Sequence, residues 1–309
     1  RRQRQMCIRD RSKASRLFKN NELVAIPTET VYGLAGNALE PTAIAKIYTT
    51  KDRPSFDPLI THVKNITDAS TLVHPFPKLA HKLAEQFWPG PLTLLLPKRK
   101  HVPDLLTSGL EKMAIRVPDH PITLKLLKQI NFPLAAPSAN PFGYISPTTS
   151  RHVDHQLGEK IPYILEGGPA QIGLESTIVS IEGKIICIHR LGGLDLEKLQ
   201  TFGDVIVRNS KRVNPDGPGQ LDSHYAPKKK FIIGNLNGQI GAASQIAMKR
   251  GATVQQADSV ESGLHVLRSG QGADLALIDV SLDIAKLIQS LESERIVMPV
   301  VACGTGNDT

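Results

Sequence analysis

Charged and hydroxylic residues gather at a few places along this chain, each beside an apolar run that reads as a strand or a helix. The first is Pro27-Thr28-Glu29-Thr30-Val31-Tyr32-Gly33-Leu34, which follows the apolar stretch 23–26. Hydroxyls and a carboxylate at a strand end lie where α/β sheets bind ligands, and the same residues also make an ordinary polar turn. Lys51-Asp52-Arg53, before Pro54, offers two cations. At the end of a helix they suit a capping role equally well, because the dipole favours positive charge there. Asp57-Pro58-Leu59-Ile60-Thr61-His62 ends on a histidine that, taken alone, reads as structural.

Arg116, in Ala114-Ile115-Arg116-Val117-Pro118, is an arginine inside an apolar strand. Burying it costs free energy unless an anion faces it. A protein carboxylate and a bound carboxylate or phosphate both meet that need. Ala136-Pro137-Ser138-Ala139-Asn140-Pro141, with Ser146 beyond it, makes a rigid loop able to present backbone and hydroxyl donors. Glu175-Ser176-Thr177 opens a later strand, and Arg190 precedes Gly192-Gly193. No Walker-type phosphate loop and no Rossmann glycine fingerprint occurs.

The elements that must position these groups follow from apolar periodicity. Strands are predicted at 23–26, 59–63, 92–96, 114–117, 134–136, 177–181 and 185–189, with a tight turn at Glu182-Gly183. Helices are predicted at 15–19, 42–50 behind Pro41, 78–87 and 123–129, and a polar loop at 140–149. Residues 209–230 are rich in Pro, Gly, Asn and Lys without an apolar period, and read as a linker. From Phe231 an αβ rhythm resumes, with helices at 242–249 and 259–268 and strands at 275–279 and 297–301. The fold class is α/β: a twisted mixed sheet with helices, a linker, then a smaller Rossmann- or flavodoxin-like α/β domain.

Composition narrows the function. Hydrophobic residues make 40% and charged residues 21% of the 309, enough for a packed core and against disorder. Apolar runs such as 92–96 are too short to span a bilayer, and no apolar segment follows the basic start as a secretory signal would require. The three cysteines, Cys7, Cys187 and Cys303, are too far apart in sequence for a zinc cage or a disulfide scaffold. A reducing cytoplasm, without a membrane partner, is the expected setting. Residues 1–12 hold five arginines against one aspartate, half of the net charge of +8. Their run Met6-Cys7-Ile8-Arg9-Asp10-Arg11 has the wording of a translated sequencing adapter, so they are set aside from the fold reading. The remaining charge suits an anionic ligand rather than general nucleic-acid binding.

Taken in order, the Pro-Thr-Glu-Thr-Val-Tyr-Gly-Leu run, the Lys-x-Arg pair, the Pro-Ser-Ala-Asn loop and the Glu-Ser-Thr step resemble the YrdC-like family over about residues 15–228. The resemblance is closest to its L-threonylcarbamoyladenylate synthases. It implies formation of threonylcarbamoyl-AMP and pyrophosphate from L-threonine, bicarbonate and ATP, with Mg2+ accompanying the nucleotide. The product would feed tRNA threonylcarbamoyladenosine modification through a downstream transfer machinery.

By the same resemblance Thr30, His62, Arg116, Ala136 and Ser176 line the threonine pocket. Arg53, Asp57, Lys112, Ser138, Ser146 and Arg190 surround ATP, and Lys51 supports the phosphates. Lys51, Arg53 and Arg116 are the catalytic candidates, and no metal ligands are assigned. Tyr225 matches a linker tyrosine that folds over the nucleotide. Lys112 departs from the small hydroxyl residue usual at its position. The implied domains are 13–208, catalytic; 209–230, linker and lid; and 231–309. That last segment resembles the receiver-like start of flagellar transcription regulators, cut short. It lacks the acidic cluster that phosphotransfer through Asp279 would need. A fusion of unlike segments and a divergent native second domain both fit it. The competing function is a YrdC-like RNA-binding module without synthase activity; a two-domain signalling protein rests on the tail alone.

Overall fold

The computed structural model describes residues 2–208, 231–234, 254–257, 259–268, 275–279, 282–294, 296 and 298–303. The chain divides into two compact units, residues 1–142 with 146–221, and residues 143–145 with 222–309.

In the first unit, helix α1 (Arg2–Lys19) leads into β1 (Val24–Ile26) and β2 (Gly33–Asn37), then α2 (Pro41–Lys51) and β3 (Ile60–His62). Helices α3 (Ile66–Leu72) and α4 (Lys78–Phe87) precede β4 (Leu92–Pro97) and β5 (Lys112–Arg116). Next come α5 (Pro121–Gln129), β6 (Leu134–Ala135), α6 (Ser150–Leu157), β7 (Thr177–Glu182) and β8 (Ile185–Arg190). Helix α7 (Leu196–Gln200) and β9 (Val205–Val207) complete it. The nine strands form one mixed sheet in the order β1-β2-β6-β3-β5-β4-β7-β8-β9. This is the expected twisted mixed sheet with helices.

Strand periodicity assigns the two faces of this sheet. Leu92, Leu94, Leu96, Met113, Ile115, Val179, Ile186 and Ile188 point into the main core, where they meet Ile44 and Ile47 of α2 and Leu83 and Ala84 of α4. The alternate residues therefore face the other way. Among them Ile60, Leu95, Ala114 and Ile178 make a small apolar cluster of their own. Pairing places His62 beside Arg116, Thr93 beside Ile178, and Ile178 beside Arg190, and the β4–β5 register puts Thr93 level with Arg116. A single lateral row thus crosses five strands on the face turned away from the main core.

Arg190 reaches that row through an irregularity. Val179 pairs with Ile188, but Ile178 pairs with Arg190, so His189 is an extra residue in β8. Strict alternation after Ile186 and Ile188 would send Arg190 into the core; the bulge turns it onto the opposite face.

The predicted helix at 15–19 is longer than expected. The residues before it, Arg, Gln, Met and Lys among them, are good helix formers, and α1 begins at Arg2. Ala14 and Phe18, one turn apart, anchor it against Leu126, Leu127 and Ile130 near α5. Strand β2 was not expected because its sequence, GLAGN, holds two glycines, which have low strand propensity. Helix α3 also escaped the periodicity; Asn65 caps it by accepting the Asp68 N–H at 2.8 Å.

The second unit holds β10 (Phe231–Gly234), β11 (Val254–Ala257), α8 (Val260–Val266), β12 (Leu275–Asp279), α9 (Ile284–Ser293) and β13 (Val300–Cys303). All pairings are parallel, in the order β11-β10-β12-β13, the start of a flavodoxin-like doubly wound sheet. Leu264, Ala276, Ile278, Leu287 and Leu291 form its core. The last strand lies three residues beyond its predicted start, and the helix predicted at 242–249 lies outside the described residues.

Candidate active site

Thr28 Oγ1 shapes the turn after β1 by accepting the N–H of Thr30 at 3.2 Å and of Val31 at 3.3 Å. A threonine that bonds its own following backbone makes a compact turn. That turn aims Glu29 at the end of β5. Both Glu29 oxygens accept from Arg116 Nη2, at 3.0 and 2.9 Å, and Oε2 also accepts the Asp119 N–H at 2.9 Å. Arg116 Nη1 donates to Thr30 Oγ1 at 3.3 Å. The anion that the strand arginine requires is therefore a protein carboxylate, and both side chains are buried. Burial lowers the Arg116 pKa and the Glu29 charge opposes that shift.

His62, alongside Arg116 in the next strand, is buried, and burial together with the Arg116 charge pushes it well below the ordinary histidine range. It is a neutral imidazole at pH 7. Its Nδ1 has no hydrogen-bond partner among the described residues.

A second loop braces the turn from outside. The N–H of Ile172 donates to the Glu29 carbonyl at 2.8 Å, and that of Gly173 to the Thr30 carbonyl at 3.0 Å. The Tyr32 hydroxyl donates to the Gly168 carbonyl at 2.8 Å and accepts the Gly167 N–H at 3.1 Å. Burial pushes the Tyr32 pKa up to about 12, so this hydroxyl keeps its proton.

Lys51, at the C-terminus of α2, does not point to solvent. Its ammonium donates to the carbonyls of Ser138 and Asn140, and it is 1% exposed. Burial, reinforced by the Arg53 charge, pushes its pKa well below the usual lysine range, while Asp57 and Glu175 oppose that. Lys51 thus holds the Pro-Ser-Ala-Asn loop in place with two of its three protons. Arg53 is equally engaged. Its Nε donates to the Asp57 carbonyl at 2.9 Å, and its Nη2 to the Pro58 carbonyl at 2.8 Å and to Asp57 Oδ2 at 2.9 Å. Neither side chain caps α2: the carbonyls they bind, of Ser138, Asn140, Asp57 and Pro58, all lie outside the helix, which Asp52 closes with its own backbone N–H. Lys112 opens β5, on the same face as Arg116 but four residues away, about 13 Å at the strand rise. Extending the β3–β5 register by two residues puts it level with Pro58, which follows Asp57 in sequence.

The Ser146 hydroxyl donates to Glu175. Ser176 Oγ lies 2.7 Å from Thr93 Oγ1. Arg190 Nη2 donates to that Ser176 hydroxyl at 3.1 Å and to the Ser176 carbonyl at 2.9 Å. Gly192 follows closely, and a Cβ there would stand 2.2 Å from the Glu175 carbonyl. Ala136, on β6's continuation, donates its N–H to the Ile60 carbonyl at 2.9 Å. Ser138 pairs with Gly33.

The sequence candidates thus form two linked groups. Thr30, His62, Arg116, Ala136, Ser176 and Arg190 lie around the row on the sheet; Lys51, Arg53, Asp57, Lys112, Ser138 and Ser146 lie along its flank. Glu175 ties them: it directly precedes Ser176 of the first group, accepts from Ser146 of the second, and its charge acts on Lys51. Tyr225 lies outside the described residues. Three residues had no assigned role: Glu29, Glu175 and Thr93. Thr93 left a readable signal, a hydroxyl interrupting the apolar run of β4. Among the described residues no group of three or more His, Cys, Asp or Glu could hold a metal ion.

The Sua5, YciO and YrdC family model, described as telomere recombination, matches residues 16–192. The chain belongs to this family. Threonylcarbamoyl-AMP synthase of Bacillus subtilis is 44% identical over 230 residues, covering 72% of this chain and 66% of the relative. The synthase of Pyrococcus abyssi is 41% identical over 225 residues, covering 71% and 66%. The match therefore spans just under two thirds of the length of these family members. Among solved structures, Pyrococcus abyssi Sua5 complexed with L-threonine aligns with a TM-score of 0.78 at 30% identity, covering 98% of this chain and 90% of that one. Escherichia coli YciO shares the fold, with a TM-score of 0.55 at 20% identity, covering 62% of this chain and 93% of that one. The family fold expected from the motifs is thereby established.

Proposed function

We propose that the chain is a threonylcarbamoyl-AMP synthase. In this reading the L-threonine amine takes up bicarbonate as a carbamate, with loss of water. A carbamate oxygen then attacks the α-phosphorus of ATP and pyrophosphate leaves. The observation that carries the reading is the row His62, Arg116, Thr93 and Arg190, which puts two fixed guanidinium groups and a neutral imidazole on one face of the sheet. Both substrates are anions, and bringing them together needs cations already in place. Catalysis is then mainly positioning and charge stabilisation, with no covalent nucleophile.

Arg116 takes the threonine carboxylate with Thr30, His62, Ala136 and Ser176 around it, and Arg53, Asp57, Lys112, Ser138, Ser146 and Arg190 take ATP. Lys51 acts by holding the Ser138 loop. Mg2+ arrives with the nucleotide and is held chiefly by its phosphates. The product passes to the tRNA threonylcarbamoyl-transfer machinery of the cytoplasm.

The RNA-binding alternative is weaker, because Lys51, Arg53, Arg116 and Arg190 are all buried and a phosphodiester backbone needs exposed cations. The second unit is read as an accessory α/β domain. Asp279 closes its third strand, as in a receiver, but the sequence after its first strand, Asn235-Leu236-Asn237-Gly238, carries no acid.

Pyrophosphate release from ATP tests the reading. Turnover is expected only with both L-threonine and bicarbonate present. Turnover independent of threonine, or none in folded protein, sinks it.

A further inference from the structure

We propose that Glu29 is the positioning residue of the threonine subsite: it holds the Arg116 guanidinium by one nitrogen and leaves the other donors for the substrate carboxylate. The inference rests on the synthase reading and adds a residue to it. Arginine has five N–H donors in a rigid plane. Glu29 occupies Nη2 with both of its oxygens, at 3.0 and 2.9 Å. Nη1 points to Thr30 Oγ1 at 3.3 Å, a weak contact, and the buried Nε has no hydrogen-bond partner among the described residues. An incoming carboxylate thus finds donors not yet committed to the protein.

Glu29 is not free to swing away when the substrate arrives. Its carboxylate also accepts the Asp119 N–H at 2.9 Å, and its backbone carbonyl accepts the Ile172 N–H at 2.8 Å. Anchored on three sides, it remains beside Arg116 as a fixed counter-charge. The nearby Arg190 charge disfavours a charged Arg116, and Glu29 offsets both that repulsion and the loss of solvation. Glu29 thereby balances the buried Arg116 charge and keeps the guanidinium aimed, and touches no substrate itself.

The test uses the full chain and the variants Glu29→Gln, Glu29→Asp, Arg116→Gln and Glu29→Gln/Arg116→Gln. Calorimetric L-threonine binding and steady-state pyrophosphate release are the readouts. Losing one partner of a buried charge pair predicts a rise in the threonine KM on the order of 30-fold or more for Glu29→Gln. The kcat should stay within about threefold and the KM for ATP should not move, as expected for lost uniform binding. Glu29→Asp keeps the charge at a shorter reach and should fall between Gln and wild type; it decides the matter alone if Glu29→Gln does not fold. The double variant should be no worse than Arg116→Gln. A wild-type threonine KM in Glu29→Gln overturns the proposal, as does tighter threonine binding, which would make Glu29 an occupant that the substrate displaces. Wild-type protein that binds no L-threonine defeats the synthase reading instead.

Discussion

Replacing Arg53 by lysine keeps the charge and removes the fork, and the structure allows the loss to be worked out. Arg53 makes three bonds with two nitrogens: Nε to the Asp57 carbonyl, and Nη2 to the Pro58 carbonyl and to Asp57 Oδ2, all between 2.8 and 2.9 Å. The side chains of Arg53 and Asp57 are 2% and 0% exposed, so water does not replace a lost partner. A lysine ammonium is a single point on a flexible stem. Placed to meet Asp57 Oδ2, it keeps the ion pair and forfeits at least one carbonyl. A hydrogen bond to a charged group contributes about 1.5–3 kcal/mol, so Arg53→Lys should destabilise the first unit by about 2–3 kcal/mol. With a slope of about 2–3 kcal/mol per molar urea, its unfolding midpoint falls by about 1 M. The same loop carries Asp57 towards β3, so the KM for ATP should rise about tenfold or more while threonine affinity holds. Urea titration by fluorescence and pyrophosphate-release kinetics are the assays. A lysine variant with wild-type midpoint and wild-type ATP kinetics would refute the claim that fork geometry, rather than charge, is what Arg53 supplies.

Thr93→Val removes one hydroxyl from the Thr93–Ser176 pair without changing the side chain's shape; about 1–2 kcal/mol of stability should go, read as a lower melting temperature, and unchanged melting would mean that the pair is idle. Gly167→Ala should cost about 1–3 kcal/mol by overpacking, since its Cβ would stand 2.4 Å from Pro27 Cγ and 2.8 Å from His120 Cε1. The turn that follows Pro27 shifts with it, so the threonine KM should rise as well. His62 and His120 are both held below the ordinary histidine pKa, chiefly by burial. The unfolded chain therefore binds more protons, and stability should fall as pH drops below about 6.5, by up to about 1.4 kcal/mol per pH unit for each group. Urea midpoints from pH 7.5 to 5 should show a shallower decline in His62→Gln, and an identical slope would mean that His62 does not carry the effect.

How far the sequence spoke for itself differed from element to element. Helix α4 matched its predicted bounds, 78–87, because its buried Ala80, Leu83 and Ala84 repeat at helical spacing. Strands β4, β7 and β8 were visible as dense β-branched and leucine runs. What escaped was structure specified by neighbours: β2, whose glycines have no strand propensity of their own, and α1, whose polar first turns carry no apolar pattern. The site residues were legible by type, since a lysine, three arginines and a histidine at or beside element ends stand out. Their partners were not. Nothing local in Thr28-Glu29-Thr30 says that Glu29 crosses to β5, because that contact depends on a separation of 87 residues along the chain.

The bulge at His189 separates two design problems that a regular sheet would couple. In an unbroken strand, any residue an even number of steps from Ile186 and Ile188 must satisfy the core. One extra residue resets that count, so the last position of β8 answers to the ligand face while everything before it still answers to packing. Deleting His189 would bring Arg190 directly after Ile188, still level with Ile178 and still off the core face, so what would go is the local kink and the His189–Ser180 contact at 2.7 Å. Inserting one residue before a strand's final position is a short evolutionary step by which an end residue that faced the core comes to the open face. It leaves the pattern that folds the core unchanged.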